Sequence, residues 1–449
     1  MHAQPLRPVV AAIGLLCLGM LTGCDMVGDV FAKSKTPIPG DRVAVLSEGS
    51  DLVPDRGAGG PDSVRLPRPA VNDSWPQSGG FANFAMHHLE IGDDPRVAWR
   101  VDVGSGSGSD RQILAPPVIA DGLVFVKDAL NVVSAFDAEG GRLAWRVTLG
   151  SKGGRDDDES GGGLAFYGGR IFVTTGYAAV ISLDARTGAE IWRRQVSAPV
   201  RGAPTVFKDR VFAIGIDNKL HALAAADGAP LWDFSALSEN AGFLAGSSPS
   251  VSGDTVVAAF SSGELIGLRI ENGRMSWNES LIAQRRGGAQ TLAALADIRG
   301  RPVIDRGRAF AIGSAGQIAA FDLRNGSRIW DRSVGGYQTP WVAGRFVYIV
   351  SSNAEVACLG RDDGKVRWVQ PLTAFRDERR RTEITWSGPV LAGDRLLVAG
   401  STGEIIALSP YDGEPMGKIN VGEPILLAPV IANRTLYVLT DNGNLVALR

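Results

Sequence analysis

The chain has 449 residues, 46 of them Lys or Arg and 48 Asp or Glu, for a formal net charge of −2. Near-neutrality excludes a broad electrostatic field for nucleic acid or an anionic membrane surface, so any partner must be recognised locally. Hydrophobic residues at 45% and charged residues at 21% are ordinary for a globular protein, whereas 57 glycines point to very many tight turns.

Arg7 followed by an apolar run over 9–21 predicts an export signal. The run is too short to cross a bilayer as a permanent helix. It ends in Leu21-Thr22-Gly23-Cys24, which resembles the bacterial lipobox. That resemblance implies that 1–23 is a signal peptide and that Cys24 carries the acyl chains. Cys17 then leaves with the signal, Cys358 alone remains, and no intrachain disulfide is available. Residues 24–72 are rich in Pro, Gly, Ser, Asp and Arg and poor in aromatics, which reads as a flexible tether behind the lipid anchor. About 45 flexible residues span roughly 35–40 Å. The folded body is expected over 73–449.

From Trp99 onward one pattern dominates. Phe136-Asp137-Ala138-Glu139-Gly140-Gly141-Arg142-Leu143-Ala144-Trp145 is answered by Leu183-Asp184-Ala185-Arg186-Thr187-Gly188-Ala189-Glu190-Ile191-Trp192. A glycine precedes each tryptophan by the same offset in Gly228/Trp232, Gly273/Trp277, Gly326/Trp330 and Gly364/Trp368. Gly413 holds the seventh position, but Gly417 replaces its tryptophan; Trp99 is a further copy without its upstream half. The tryptophans at 99, 145, 192, 232, 277, 330 and 368 step by 46, 47, 40, 45, 53 and 38 residues, around the period of four-stranded propeller blades. Between them lie short β-rich runs bounded by Gly and Asp, such as 122–127, 169–174, 393–398 and 403–408, each reading as a strand. The glycine is expected at positive φ in a hairpin, the aspartate on that hairpin's amides, and the indole against the neighbouring blade.

These features predict an all-β, eight-bladed propeller. Seven blades run over about 114–421. The C-terminal stretch 429–448 supplies three strands and lacks an outer one; the orphan strand 96–103 around Trp99 supplies it and closes the ring without an exposed edge. The loss of tryptophan at Gly417 predicts a looser junction after the seventh blade.

Catalytic and metal-binding patterns are sparse. The histidines are His2, His87, His88 and His221, and neither H-E-x-x-H nor C-x-x-C occurs, so no metal site and no catalytic residue is assigned. Gly161-Gly162-Gly163 lacks the Lys and helix of a phosphate loop. Asp156-Asp157-Asp158-Glu159 matches no calcium spacing and reads as a solvated connection. Arg379-Arg380-Arg381 is flanked by Asp377, Glu378 and Glu383 and reads as an exposed loop.

The Asp-x-x-x-Gly-x-x-x-Trp repeat resembles the tryptophan motif of pyrroloquinoline-quinone (PQQ) propellers over nearly all of 73–449. Two functional classes carry it: quinoprotein dehydrogenases, and the BamB family of outer-membrane lipoproteins. Cys24 in its lipobox, a length that suits one bare propeller, the solitary Cys358, and the opening Trp75-Pro76-Gln77-Ser78-Gly79-Gly80 favour the BamB family. That resemblance implies a non-enzymatic scaffold subunit of the β-barrel assembly (BAM) complex on the periplasmic face of the outer membrane. It would need no cofactor and would bind a POTRA domain of BamA, with other BAM subunits and unfolded outer-membrane proteins as further partners. The docking loops would fall at 238–248 and 289–300, with Phe243 and Leu244 as apolar anchors and Asp297 and Arg299 as polar contacts. The second loop lies in the longest Trp-to-Trp interval, 53 residues, where recognition is usually placed. Asp25, directly after Cys24, resembles an inner-membrane retention signal of enteric bacteria; the outer membrane remains the reading. The alternatives are a PQQ-dependent periplasmic dehydrogenase and a lipid-anchored scaffold for another envelope complex.

Overall fold

A computed structural model describes residues 52–58, 63–109, 111–150, 161–237, 246–281, 297–314, 316–377 and 381–449. The chain divides into two units, Met1–Glu48 and Gly49–Arg449, and every described residue lies in the second. Cys24 lies outside the described residues. Every regular element among them is a strand, arranged as eight antiparallel four-stranded sheets.

Blade 1 shows the plan: Val118–Ala120, Leu123–Lys127, Val132–Asp137 and Leu143–Thr148, paired in that order. The first strands of successive blades touch one another around the axis and are buried. The fourth strands alternate exposed and buried residues, as an outer edge facing water must. First and second strands join through two-residue turns with left-handed backbone, for instance Asp121 (φ 50°) and Gly122 (φ 75°). That geometry suits the twist of the paired strands.

The repeat has a common physical core. Gly141, Gly188, Gly228, Gly273, Gly326, Gly364 and Gly413 all have φ between 64° and 82°. Each tryptophan leaves its own blade and lies on the glycine of the next. A Cβ built on Gly188 would stand 2.6 Å from Trp145 Cε3, and the same conflict recurs from Gly141 on Trp99 to Gly413 on Trp368. The indole N–H groups of Trp145, Trp192, Trp232, Trp277, Trp330 and Trp368 donate to carbonyls of the following blade at 2.8–3.1 Å. Across the sheet each tryptophan faces a small residue: Ala135, Ser182, Ala222, Gly267, Ala320 and Cys358. Cys358, the one cysteine among the described residues, is therefore a buried space-filler opposite Trp368, and burial pushes its thiol pKa up.

The ring closes as the two incomplete ends require. Val97–Asp102 pairs antiparallel with Asn444–Leu448, completing blade 8 as its outer strand. Trp99 packs on Gly141, but its indole N–H has no acceptor; Ala138 O, the equivalent carbonyl, accepts from Tyr437 Oη at 3.2 Å and Arg449 Nη2 at 2.9 Å. The same closure explains Gly417. A tryptophan there would need the hairpin glycine of blade 8, and blade 8 has no such hairpin because its outer strand comes from the other end of the chain. The junction carries other ties: Arg100 pairs with Glu423 and donates to Val421 O at 2.7 Å.

Residues 52–58 and 63–72, read in the sequence as tether, lie against the propeller. Leu52, Ala58 and Val64 are buried, and Asp55 accepts from Val366 N at 2.7 Å and pairs with Arg332 at 3.0 Å. These contacts hold a Pro- and Gly-rich stretch in place through its few apolar and acidic residues.

Candidate functional site: the axial channel and the face of long connections

Antiparallel order assigns every connection to one of two faces. Turns between first and second strands and the glycine hairpins share one face, here the turn face. The other, the connection face, carries the links from each outer strand to the next inner strand. The five longest links leave and re-enter the described residues on it: 149–163, 236–249, 281–302, 372–385 and 103–117. The first holds the acidic run at 156–159 and the next two hold the expected docking loops. The acidic run, Phe243 and Leu244 lie outside the described residues.

The channel along the axis is threaded by residues 72–89, and this strap reaches the inner strand of every blade. Trp75 exchanges backbone bonds with Ile119 at 2.8 and 2.9 Å. Pro76 O accepts from Phe166 N, and the Gln77 amide bonds Val206 N and O at 3.1 and 2.8 Å. Ala82 O and Asn83 O accept from Val251 N and Ile304 N, while His87 O accepts from Trp341 Nε1. Leu89 N donates to Leu391 O and the Asn72 amide to Ile431 O. Gly80 (φ 94°) makes the reversal possible: a Cβ there would stand 2.1 Å from Met86 Sδ.

Above the strap, on the connection face, a cavity of about 610 Å3 remains. Trp75, Phe84 and Trp341 give it an aromatic lining, and Trp75 and Trp341 stack at 6.3 Å. Arg299 and Arg301 bring two cations; among the described residues no Asp, Glu or His lines it. Arg299 lies over the Tyr337 ring at 5.4 Å and 3.9 Å from Asp297. Burial is the main cause that lowers its pKa, opposed by Asp297. Asp297 itself is only 8% exposed, and its carbonyl accepts from Ser314 N. Of the four expected docking residues, the two that are described thus meet at the channel mouth as a pair, with the carboxylate turned inward. An aspartate beside a loop looks exposed in sequence; here the neighbouring strand covers it.

Two histidines have structural partners. His88 is buried, donating from Nδ1 to Pro67 O at 2.7 Å and accepting at Nε2 from Asp394 N at 3.1 Å. Ser197 Oγ donates to Asp217 at 2.6 Å and lies 3.0 Å from His221 Nε2. Its one proton is held by the carboxylate, so His221 donates to the hydroxyl rather than activating it, the reverse of a nucleophile and its base. Among the described residues no group of three or more His, Cys, Asp or Glu side chains gathers as a metal site. An acid-free, cation-bearing lining also does not fit the calcium ion that accompanies a quinone cofactor in the dehydrogenase alternative.

Sequence reasoning missed the strap and Arg301. Three tryptophans outside the repeat register, Trp75, Trp341 and Trp386, were the available signal, since the first two line the cavity.

A family model described as outer membrane protein assembly factor BamB matches residues 92–154, 130–370 and 375–449. The outer membrane protein assembly factor BamB of Escherichia coli strain K12 is 28% identical over 358 residues, covering 79% of this chain and 88% of that protein. The factor of the same name from Moranella endobia is 25% identical over 360 residues, 79% and 90% of the two chains. Among solved structures, BamB from Moraxella catarrhalis superposes with a TM-score of 0.64 at 18% identity, over 79% of this chain and all of that one. A europium-containing methanol dehydrogenase reaches 0.65 at 14% identity, over 82% and 89%; at such identities both share the fold alone. The matched family model spans nearly all of the propeller, and the chain belongs to the BamB family of outer membrane protein assembly factors.

Proposed function

We propose that the chain is a non-enzymatic, lipid-anchored scaffold of the BAM complex that docks on a POTRA domain of BamA through its connection face and aids insertion of β-barrel proteins. Family membership supports a role in outer membrane protein assembly. The observation that carries the finer reading is the segregation of all five long links to one face of a rigid ring, the arrangement in which recognition loops are usually held. The strap that occupies the axis and the acid-free lining above it speak against the quinone enzyme.

Replacing 239–244 with Gly and Ser is expected to abolish co-purification with BamA from detergent-solubilised membranes; full recovery of BamA with the altered chain would overturn the docking face. Phe243→Asp with Leu244→Asp tests the apolar anchors. Asp297→Arg is a poor test, because that carboxylate is buried and its loss would disturb the mouth itself. Cys24→Ser is expected to move the protein from the membrane to the soluble fraction, and density fractionation of the unaltered protein separates outer membrane from Asp25-directed inner-membrane retention. Addition of PQQ and calcium is expected to produce no oxidation of alcohols with an artificial electron acceptor; turnover would restore the enzyme reading.

A further inference from the structure

In the channel cavity the Arg301 side chain is partly buried, and its surroundings leave it incompletely paired. Arg301 Nη2 donates to Ser78 Oγ at 2.6 Å, its backbone N donates to Thr339 Oγ1 at 3.1 Å, and the guanidinium lies 5.9 Å from the centre of the Phe84 ring. These contacts fix its position from the strap on one side and the link 333–340 on the other. None of them is anionic, and the Arg301 Nε is buried with no acceptor. Burial alone lowers the pKa to about 10, which leaves the group a cation at neutral pH. A buried charge without a counter-ion is costly, and a buried donor without an acceptor adds to that cost. The nearby carboxylate of Asp297 pairs with Arg299 instead.

We infer that the axial cavity is a binding site for a carboxylate attached to an apolar or aromatic group, with Arg301 as its anion partner and Trp75, Phe84 and Trp341 as its apolar walls. The planar guanidinium matches a carboxylate, and the missing acceptor at Nε is what such a group supplies. The volume of about 610 Å3 lies in the range of sites that enclose small ligands. The aromatic walls select against a bare inorganic anion, which would lose its hydration there and gain only one partner. The carboxylate could be the C-terminus of an extended polypeptide or belong to a free small acid. The cavity opens on the connection face, yet this inference does not depend on docking to BamA.

The test uses the purified full chain without any partner, read by tryptophan fluorescence and calorimetry. The probes are 3-phenylpropionate, its amide, inorganic phosphate, and one apolar heptapeptide with its C-terminus free or amidated. Each carboxylate is expected to bind about tenfold or more tighter than its amide, the usual loss when a charge-assisted bond is removed. Arg301→Gln and Arg301→Met are expected to erase that preference, and Arg301→Lys to retain part of it. Because the unpaired cation costs stability, Arg301→Met is expected to keep or raise the unfolding temperature, which a structural arginine would not do. A free peptide binding well above 3-phenylpropionate assigns the site to a polypeptide terminus; equal binding assigns it to a small acid. Equal affinity for acid and amide, phosphate binding as tightly as 3-phenylpropionate, no binding of any probe, or an undiminished carboxylate preference in Arg301→Gln would each overturn the inference. BamA co-purification is measured separately, so loss of one reading leaves the other standing.

Discussion

On the turn face every blade closes in the fewest residues that the backbone permits, with left-handed pairs such as Asp121-Gly122 and the seven hairpin glycines held under the neighbouring tryptophan. On the connection face the same blades are joined by links of very different length, and the cavity, both channel arginines and the long loops lie there. The difference separates two kinds of constraint. Turn-face residues are fixed by sterics that any blade must satisfy, so they repeat. Connection-face residues are free to vary because the ring already holds their ends, so they carry what is particular to this chain.

Four substitutions would sharpen or break that contrast. The largest loss of stability is expected at the turn-face wedge: Trp192→Ala removes a buried indole and its bond to Ala225 O, and should cost about 3–5 kcal/mol in urea unfolding. A loss as small as that of a surface residue would refute the wedge as the tie between blades. Next comes the strap: Gln77→Ala strands Val206 N and O without their partners, for about 2–4 kcal/mol by the same measurement. Gly417→Trp restores the repeat yet has no hairpin glycine to meet and sits at φ 147°, so it should destabilise by about 1 kcal/mol; a clear gain in unfolding temperature would show that blade 8 accepts a wedge after all. The smallest effect is expected from the exchange of 239–244 for Gly and Ser, within about 0.5 kcal/mol of the parent, even as BamA co-purification is lost. Should that exchange unfold the protein, the connection face is not independent of the ring.

The turn face was legible in the sequence because its rules are local. A glycine at positive φ, an aspartate capping the hairpin and a tryptophan at constant offset all fall within ten residues, so the blade count and even the closure of blade 8 by 96–103 could be read from where copies are incomplete. The connection face was not legible in the same way. The strap is held chiefly by backbone groups of the inner strands, which any residue supplies, and only Asn72, Trp75, Gln77 and the glycines near them leave a trace. Arg301 sits in the short run Arg299-Gly300-Arg301-Pro302, which resembles any loop; its burial arises from Ser78 and Phe84, more than two hundred residues earlier in the chain. Asp297 is buried for a related reason, since burial is set by what folds over a residue rather than by its type.

The strap also dictates when folding can finish. Repeats with only neighbour contacts can add to a growing structure one unit at a time, but residues 72–89 are synthesised before every blade and find some of their partners last. Asn72 bonds Ile431 O across a separation of 359 residues, and Val97–Asp102 waits for Asn444–Leu448. Contacts so distant in sequence form slowly and late. A chain cut short within its final strand would therefore lose more than one blade: the earliest-made segment would be left without its anchorage in blade 8, and the last residues to emerge decide whether the first can settle.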